Sequence, residues 1–211
     1  MNSFLDLLQL ADSSFPTGSY AHSYGLEWLC RQPGFDLEVM LRLRLSQTLA
    51  RLELPLVRFA YGARDGGELT ALDRLADVLM PAAEARQASR AVGRAFQRSV
   101  RALLGACPLA EGAEHQPVVY GAVWRLWDLP LEDGLAAYAL QATRQQLSAA
   151  QRLALIGQTA AQELLHRLKA DMRAAVDESL RLDVEEIGAF TPWLDFASVR
   201  HEHAPARLFL S

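Results

Sequence analysis

The stretch DLEVMLRLRLSQTLARLELPLVRFAYGAR, residues 36–64, decides the fold class of this chain. Its leucines recur at spacings of three and four residues, at Leu37, Leu41, Leu45, Leu49, Leu52 and Leu56. That spacing places one apolar stripe along one side of an α-helix, with arginines between the leucines. Pro55 lacks the N–H that a helix interior uses, so we expect a kink there. The stretch therefore predicts one long helix from Asp36 to Arg64.

Similar patterns continue towards the C-terminus. The paired glycines Gly66 and Gly67 are expected to end the first helix, and further helices are predicted over 68–79, 81–105, 117–128, 131–146 and 149–175. Ser148 is the expected N-cap of the last and most regular of them. Shorter segments follow at 184–187 and 194–200. With no repeat or linker, residues 1–211 are predicted to form one all-α domain, a bundle of roughly nine to ten helices.

A row of arginines lies opposite the apolar stripe of the predicted helix 81–105. Its members are Arg86, Arg90, Arg94, Arg98 and Arg101. The row fits a solvated face, and its alternative is an electropositive strip for an acidic partner, which would make the chain a generic helical scaffold that binds proteins. Glu84 is expected to compensate only part of this charge.

Composition narrows the function classes. The chain has 211 residues, of which 51% are hydrophobic and 22% charged, with a formal net charge of -4. This balance argues against binding nucleic acid through neutralised phosphates. Cys30 and Cys107 lie far apart and form no Cys-x-x-Cys pair, so we expect neither a disulfide nor a zinc site. The first residues lack a basic leader and no apolar run is long enough to cross a membrane, so we expect a cytoplasmic protein.

Residues 8–29 contain a motif that resembles the nucleophile elbow of serine hydrolases. In Ala21-His22-Ser23-Tyr24-Gly25, the serine stands where the Gly-x-Ser-x-Gly nucleophile would be. The elbow needs a buried strand before the serine, and Pro16 and Gly18 disfavour one. A serine hydrolase centred on Ser23 therefore remains an alternative, although its motif lacks the preceding strand that a nucleophile elbow needs.

Both ends of the chain carry motifs of a known family. The opening reads Gln-Leu-Ala-Asp-Ser-Ser-Phe-Pro-Thr-Gly-Ser-Tyr at 9–20 and Ser-Tyr-Gly-Leu-Glu at 23–27; the ending reads Ala-Ser-Val-Arg-His-Glu at 197–202 and Arg-Leu-Phe-Leu-Ser at 207–211. Together with Arg-Leu-Ala-Leu-Ile-Gly-Gln at 152–158, these resemble the UreF family of urease accessory proteins. Ser19 replaces the family's second glycine, and a serine disfavours a backbone conformation with positive φ at that position. Leu155 replaces a proline, so we expect the helix to run on.

The resemblance implies an all-α homodimer that is a chaperone and not a catalyst. It would bind the accessory protein UreD, also called UreH, and with it recruit the GTPase UreG to apo-urease for nickel insertion. Nickel and GTP would belong to the assembled complex, with no cofactor bound stably by this chain. The residues implied to face the GTPase are Gly18, Tyr20, His22, Ser23, Gly25, Glu27, Arg152 and Gln158. Those implied to face UreD/UreH are Arg200, His201, Glu202, Arg207, Leu208, Phe209 and Ser211, within a partner-binding tail at about 201–211.

Several of these residues also have plainer interpretations. Tyr20 could pack at a helix start, and Glu27 could occupy a helix surface. Arg152 could stabilise phosphate charge on the GTPase or contact only solvent. His201 and His203 flank Glu202 and suggest nickel ligation, but residues two apart point to different sides of a helix, which favours a hydrogen-bonded junction. The apolar tail could anchor a partner or fold into its own core.

Overall fold

In the computed structural model, which describes residues 3–105, 112–202 and 207–210, every regular element is helical. The predicted all-α bundle in a single domain is confirmed. Within these residues, none of the helices has the length and apolarity to cross a bilayer. Cys107, His203 and Ser211 lie outside the described residues, as does the side chain of Glu202.

The helices follow one another closely along the chain. In order they are α1 (Ser3–Leu10), α2 (Leu26–Leu29), α3 (Leu37–Leu43), α4 (Leu54–Gly62), α5 (Gly66–Leu79), α6 (Ala83–Leu104), α7 (Gln116–Leu126), α8 (Leu131–Arg152), α9 (Gln158–Arg167), α10 (Lys169–Ser179) and α11 (Pro192–Glu202). A π-helical segment, Arg44–Glu53, joins α3 to α4, and short 3-10 turns lie at Ser19–Ala21 and Val184–Glu186.

The leucine stretch is helical from Leu37 to Gly62, as the spacing predicts. Pro55 does not end it, because the wider π-helical turn lies directly before this proline. In a regular α-helix the carbonyl of Arg51 would accept from the N–H of residue 55. Here that carbonyl accepts from the Gly188 N–H at 2.9 Å. The loop before α11 therefore satisfies the acceptor that the proline leaves open.

The core surrounds α7, whose first nine residues are all buried. A helix that is apolar on all sides belongs inside a bundle. Its close approach to α4 depends on Gly121, where an added Cβ would lie 2.2 Å from the Val57 carbonyl oxygen. On the other side, the ring of Tyr120 stacks on Phe96 of α6 at 3.8 Å between centroids. Helices α4 and α6 thus both pack against this central helix.

The predicted helix 149–175 is wrong. The chain instead ends α8 at Arg152, turns, and forms α9 and α10, with Ser148 inside α8 rather than at an N-cap. At the turn Ala154 has φ 58, the Leu155 N–H donates to the Ala150 carbonyl and the Ala154 N–H to that of Gln151. This Schellman arrangement closes the helix. The expectation that Leu155 lets the helix run on is also wrong, because the chain reverses one residue earlier.

Gly66 and Gly67 do not end the preceding helix. They form the first turn of α5, where the side chain of Asp65 accepts from the Glu68 N–H at 3.0 Å as an N-cap. An N-cap carboxylate satisfies a donor that the first turn leaves unpaired. The local capping preference of Asp65 therefore outweighs the low helix propensity of two glycines.

The arginine row of α6 is largely paired within the chain. Arg90 lies 2.8 Å from Asp77, and Arg94 lies 3.0 Å from Glu114. Glu84 does not compensate the row, since it is buried and bonds elsewhere. These contacts are typical of a solvated face with surface ion pairs.

Candidate functional site

The N-terminal loop takes its shape from three residues in left-handed conformations. Gly18 has φ 70, Tyr24 has φ 50 and Gly25 has φ 82. Between them the chain makes the 3-10 turn that begins at Ser19. The left-handed position falls at Gly18 and not at Ser19, so the serine that departs from the family pattern fits without backbone strain.

Gly25 brings this loop against α11. A Cβ at this position would lie 3.0 Å from the Cβ of Ala197 and 3.0 Å from the backbone nitrogen of Ser198. A side chain is therefore excluded by space as well as by the positive φ. The opening motif and the closing motif of the sequence are consequently in direct contact.

Three side chains, from α2, α6 and α11, form a buried network behind this contact. His201 has no solvent exposure; its Nε2 lies 3.0 Å from an Oε of Glu27 and its Nδ1 lies 3.0 Å from an Oε of Glu84. The histidine thus links three helices that are far apart in sequence.

The C-terminal tail binds to the same two glutamates. Arg207 donates to Glu84 at 2.7 Å, while the N–H groups of Leu208 and Phe209 donate to Glu27 at 2.9 and 3.2 Å. We call Glu27, Glu84, His201 and residues 207–210 the junction. Its outer end is a hydrogen bond of 2.8 Å from the N–H of residue 210 to the carbonyl of residue 21 in the N-terminal loop.

The electrostatics of the junction favour an ionised Glu27. Burial by itself raises the pKa of this carboxyl, but the hydrogen bonds from His201 and from two tail N–H groups together outweigh it. The pKa of Glu27 therefore lies below its usual value. A carboxylate with this many donors holds the tail by charge-assisted hydrogen bonds.

Arg152, at the end of α8, connects the loop to the tail from outside. Its guanidinium donates to the Tyr20 carbonyl and lies 4.2 Å from the centre of the Phe209 ring. Gln145, two turns earlier on α8, donates to the Ser19 carbonyl at 2.7 Å. Helix α8 therefore supports the loop whose exposed tip is Tyr20.

The structure divides the implied partner-binding residues into an exposed and a buried group. The exposed group comprises Gly18, Tyr20, Arg152, Gln158, Arg200, Arg207 and Leu208. The buried group comprises His22, Ser23, Gly25, Glu27, His201 and Phe209. Glu202 is the last residue of α11, and Ser211 is outside the described residues. Their docking roles stay predictions, and the residues of the buried group lie beneath the surface.

Two chemistries considered from the sequence find little support in this geometry. Ser23 is fully buried, and within the described residues no strand precedes it, so the elbow context of a serine hydrolase is missing. Among the residues that the structure describes, no three His, Cys, Asp or Glu side chains are placed to hold a metal ion. Both nitrogens of His201 face carboxylates instead.

Glu84 is the junction residue that sequence reasoning missed. It is the only acid of α6, and it lies in the first turn between alanines. A single acid on an otherwise basic helix was the one feature of the sequence that could have marked Glu84 as a functional residue. Its partner His201 lies 117 residues further along the chain, beyond the reach of any local pattern.

The fold and the junction define an all-α protein in which a buried acid–histidine network joins the N-terminal loop to the C-terminal tail. The UreF family model matches residues 35–169. The chain is 34% identical to a urease accessory protein UreF from Arthrobacter sp. (strain FB24), over 98% of this chain and 96% of the relative. It is 36% identical to the urease accessory protein UreF of Xanthobacter autotrophicus, over 99% of this chain and 91% of the relative. The chain belongs to the UreF family, which confirms the resemblance drawn from its motifs.

Proposed function

We propose that this chain is a urease maturation chaperone. It acts as a homodimer in the cytoplasm, bridges UreD/UreH and the GTPase UreG on apo-urease, and couples GTP hydrolysis to nickel insertion into the urease active site. It is an accessory protein without catalysis of its own; GTP and the nickel cargo are handled by the assembled complex. Support for the maturation role comes from the family and from relatives named urease accessory proteins.

The observation that carries the bridging role is the junction. The residues implied to face the GTPase and those implied to face UreD/UreH are not two separate patches, because Glu27 binds the backbone of Leu208 and Phe209. Arg152 touches both sides, through the carbonyl of Tyr20 and the ring of Phe209. A partner that moves the tail therefore alters the support of the loop.

This arrangement gives Arg152 a positioning role in the proposal. Its guanidinium is already engaged by a carbonyl and an aromatic face, contacts that a planar guanidinium makes better than an ammonium group. In the described conformation it holds the loop in place. Tyr20, which is 70% exposed at the loop tip, is the side chain that would meet the GTPase.

The role is tested by urease activation in nickel-supplied cells that express urease and the other accessory proteins. We expect activity to require this chain, Tyr20→Ala to weaken retention of UreG but not of UreD/UreH, and removal of residues 207–211 to weaken retention of UreD/UreH. Val78→Ala, a change at an exposed apolar side chain of α5, serves as the matched control. Equal urease activity with and without the folded chain would refute the maturation role.

A further inference from the structure

A cavity lies between the π-helical segment, the corner that joins α5 to α6, and α11. Its volume is about 70 Å³. One wall is apolar and includes Leu79, Met80 and Ala85, while Pro81 is exposed at the rim and opens the cavity to solvent. This cavity is separate from the contacts of the junction.

One end of the cavity contains a buried ion pair that contributes no net charge. Arg44 and Glu53 lie 3.1 Å apart, and their side chains are only 11% and 12% exposed. The hydroxyl of Tyr138 donates to Glu53 at 3.0 Å, and the guanidinium of Arg44 lies 4.9 Å from the centre of the Tyr24 ring. Both tyrosines are neutral, since burial raises the pKa of Tyr24 to about 12 and raises that of Tyr138 as well.

Asp195 of α11 supplies a charge that nothing in the described chain neutralises. Its carboxylate has one hydrogen-bond donor there, the hydroxyl of Thr191 at 3.4 Å, and no cationic side chain pairs with it in the part of the chain that the structure describes. Burial accordingly raises the pKa of Asp195. With the ion pair neutral, the lining has a formal charge of -1.

We propose that this cavity binds an ammonium or guanidinium group carried on an aliphatic chain, with Asp195 as its counter-charge. The four methylenes and the ammonium of a lysine side chain combine the two features that this lining calls for, an apolar stem and a terminal cation. The methylenes pack on the wall of Leu79, Met80 and Ala85, and the cation pairs with a carboxylate that otherwise lacks a partner. The same chemistry occurs in a basic side chain of a protein and in a free diamine.

A structural role for Asp195 has different consequences. An acid in the first turn of a helix is favourable next to the helix dipole, and Asp195 lies in the first turn of α11. In that case Asp195→Asn lowers the stability of the chain and changes no binding. If Asp195 instead serves to bind a cation, Asp195→Asn weakens binding. It does not lower the stability of the chain, because the asparagine amide removes an uncompensated charge from a half-buried position.

The test is titration of the full chain with Nα-acetyl-lysine methylamide and, separately, with putrescine, followed by NMR or calorimetry. We expect saturable binding in the millimolar range and a loss of about tenfold or more in Asp195→Asn, with an unchanged or higher thermal midpoint. Ala85→Leu, which fills the apolar wall, is expected to abolish binding in a folded chain. Preference for the lysine compound assigns the site to a partner's side chain, and preference for putrescine assigns it to a free amine.

Asp133→Asn is the matched control, because Asp133 is an exposed acid in the first turn of α8. It should leave both titrations unchanged. The inference is overturned if neither compound binds, or if Asp195→Asn and Asp133→Asn bind equally well. It does not depend on the maturation role, since the titrations need no partner protein.

Discussion

The junction and the arginine row of α6 contain acid–base contacts of the same length in different surroundings. His201 and Glu27 lie 3.0 Å apart with side chains 0% and 3% exposed, whereas Arg94 and Glu114 lie 3.0 Å apart with both side chains 46% exposed. An exposed pair exchanges good hydration for a weak attraction and contributes little. A buried pair contributes little as a whole, but removal of one partner strands the other charge without water. The distance between the two groups therefore does not predict how much stability is lost when one partner of a contact is removed.

The largest expected effect is that of Glu27→Ala. The change leaves the donors of His201 and of two tail N–H groups without an acceptor inside the protein. We expect the free energy of unfolding to fall by about 3–5 kcal/mol. Urea denaturation at neutral pH measures it, and limited proteolysis should show earlier cleavage of the tail. A loss below about 1 kcal/mol would place the junction in the same class as the surface row.

Gly25→Ala tests the contact that brings the two motifs together. The new Cβ meets α11 at 3.0 Å and the residue keeps φ 82, so overpacking adds to backbone strain, and we expect a loss of about 2–4 kcal/mol. Gly34→Ala is the matched control, because Gly34 has φ 74 with open space around its Cβ position. It should cost about 1 kcal/mol by thermal or urea unfolding. Equal losses would mean that the packing against α11 contributes nothing.

These contacts also show what the sequence could and could not predict. The helical period of the leucines predicted the long helix at 36–64, because the six leucines of the stripe all lie on the side that packs against the core. The Glu27–His201 and Glu84–His201 contacts join residues 174 and 117 positions apart. Charged side chains are usually exposed, so only the three-dimensional arrangement identifies these acids as buried.

The error at 149–175 has a local physical cause. The apolar period continues across residues 152–158, but α8 ends at Arg152 because Ala154, a residue type with high helix propensity, adopts a left-handed conformation just beyond it. A glycine at that position would have predicted the end. The role of Gly25 was equally hidden, since its neighbours Ala197 and Ser198 belong to the far end of the chain.

A smaller effect is expected in the pH dependence of stability. Because the folded pKa of Glu27 lies below its unfolded value, the carboxylate contributes stability that is complete above about pH 4.5 and is lost as the pH falls through the folded pKa. Glu27→Gln lacks this titration. We therefore expect the difference in urea midpoint between the wild type and Glu27→Gln to be constant near neutrality and to narrow below that pH. A constant difference down to pH 3 would contradict an ionised, hydrogen-bonded Glu27.

The smallest effect is expected at the arginine row, where Arg94→Ala removes an exposed partner of Glu114. Water replaces the lost hydrogen bond at once, so the free energy of unfolding should fall by about 0.2–1 kcal/mol. At 1 M salt the Debye length shrinks to about 3 Å, and this loss should largely vanish, whereas the loss from Glu27→Ala should persist because Glu27 and His201 are buried away from the salt solution. Urea denaturation of both variants at low and high salt measures the contrast. If the Arg94→Ala loss is as large and as insensitive to salt as that of Glu27→Ala, burial does not separate the two regions, and the row contributes to the fold in the same way as the junction.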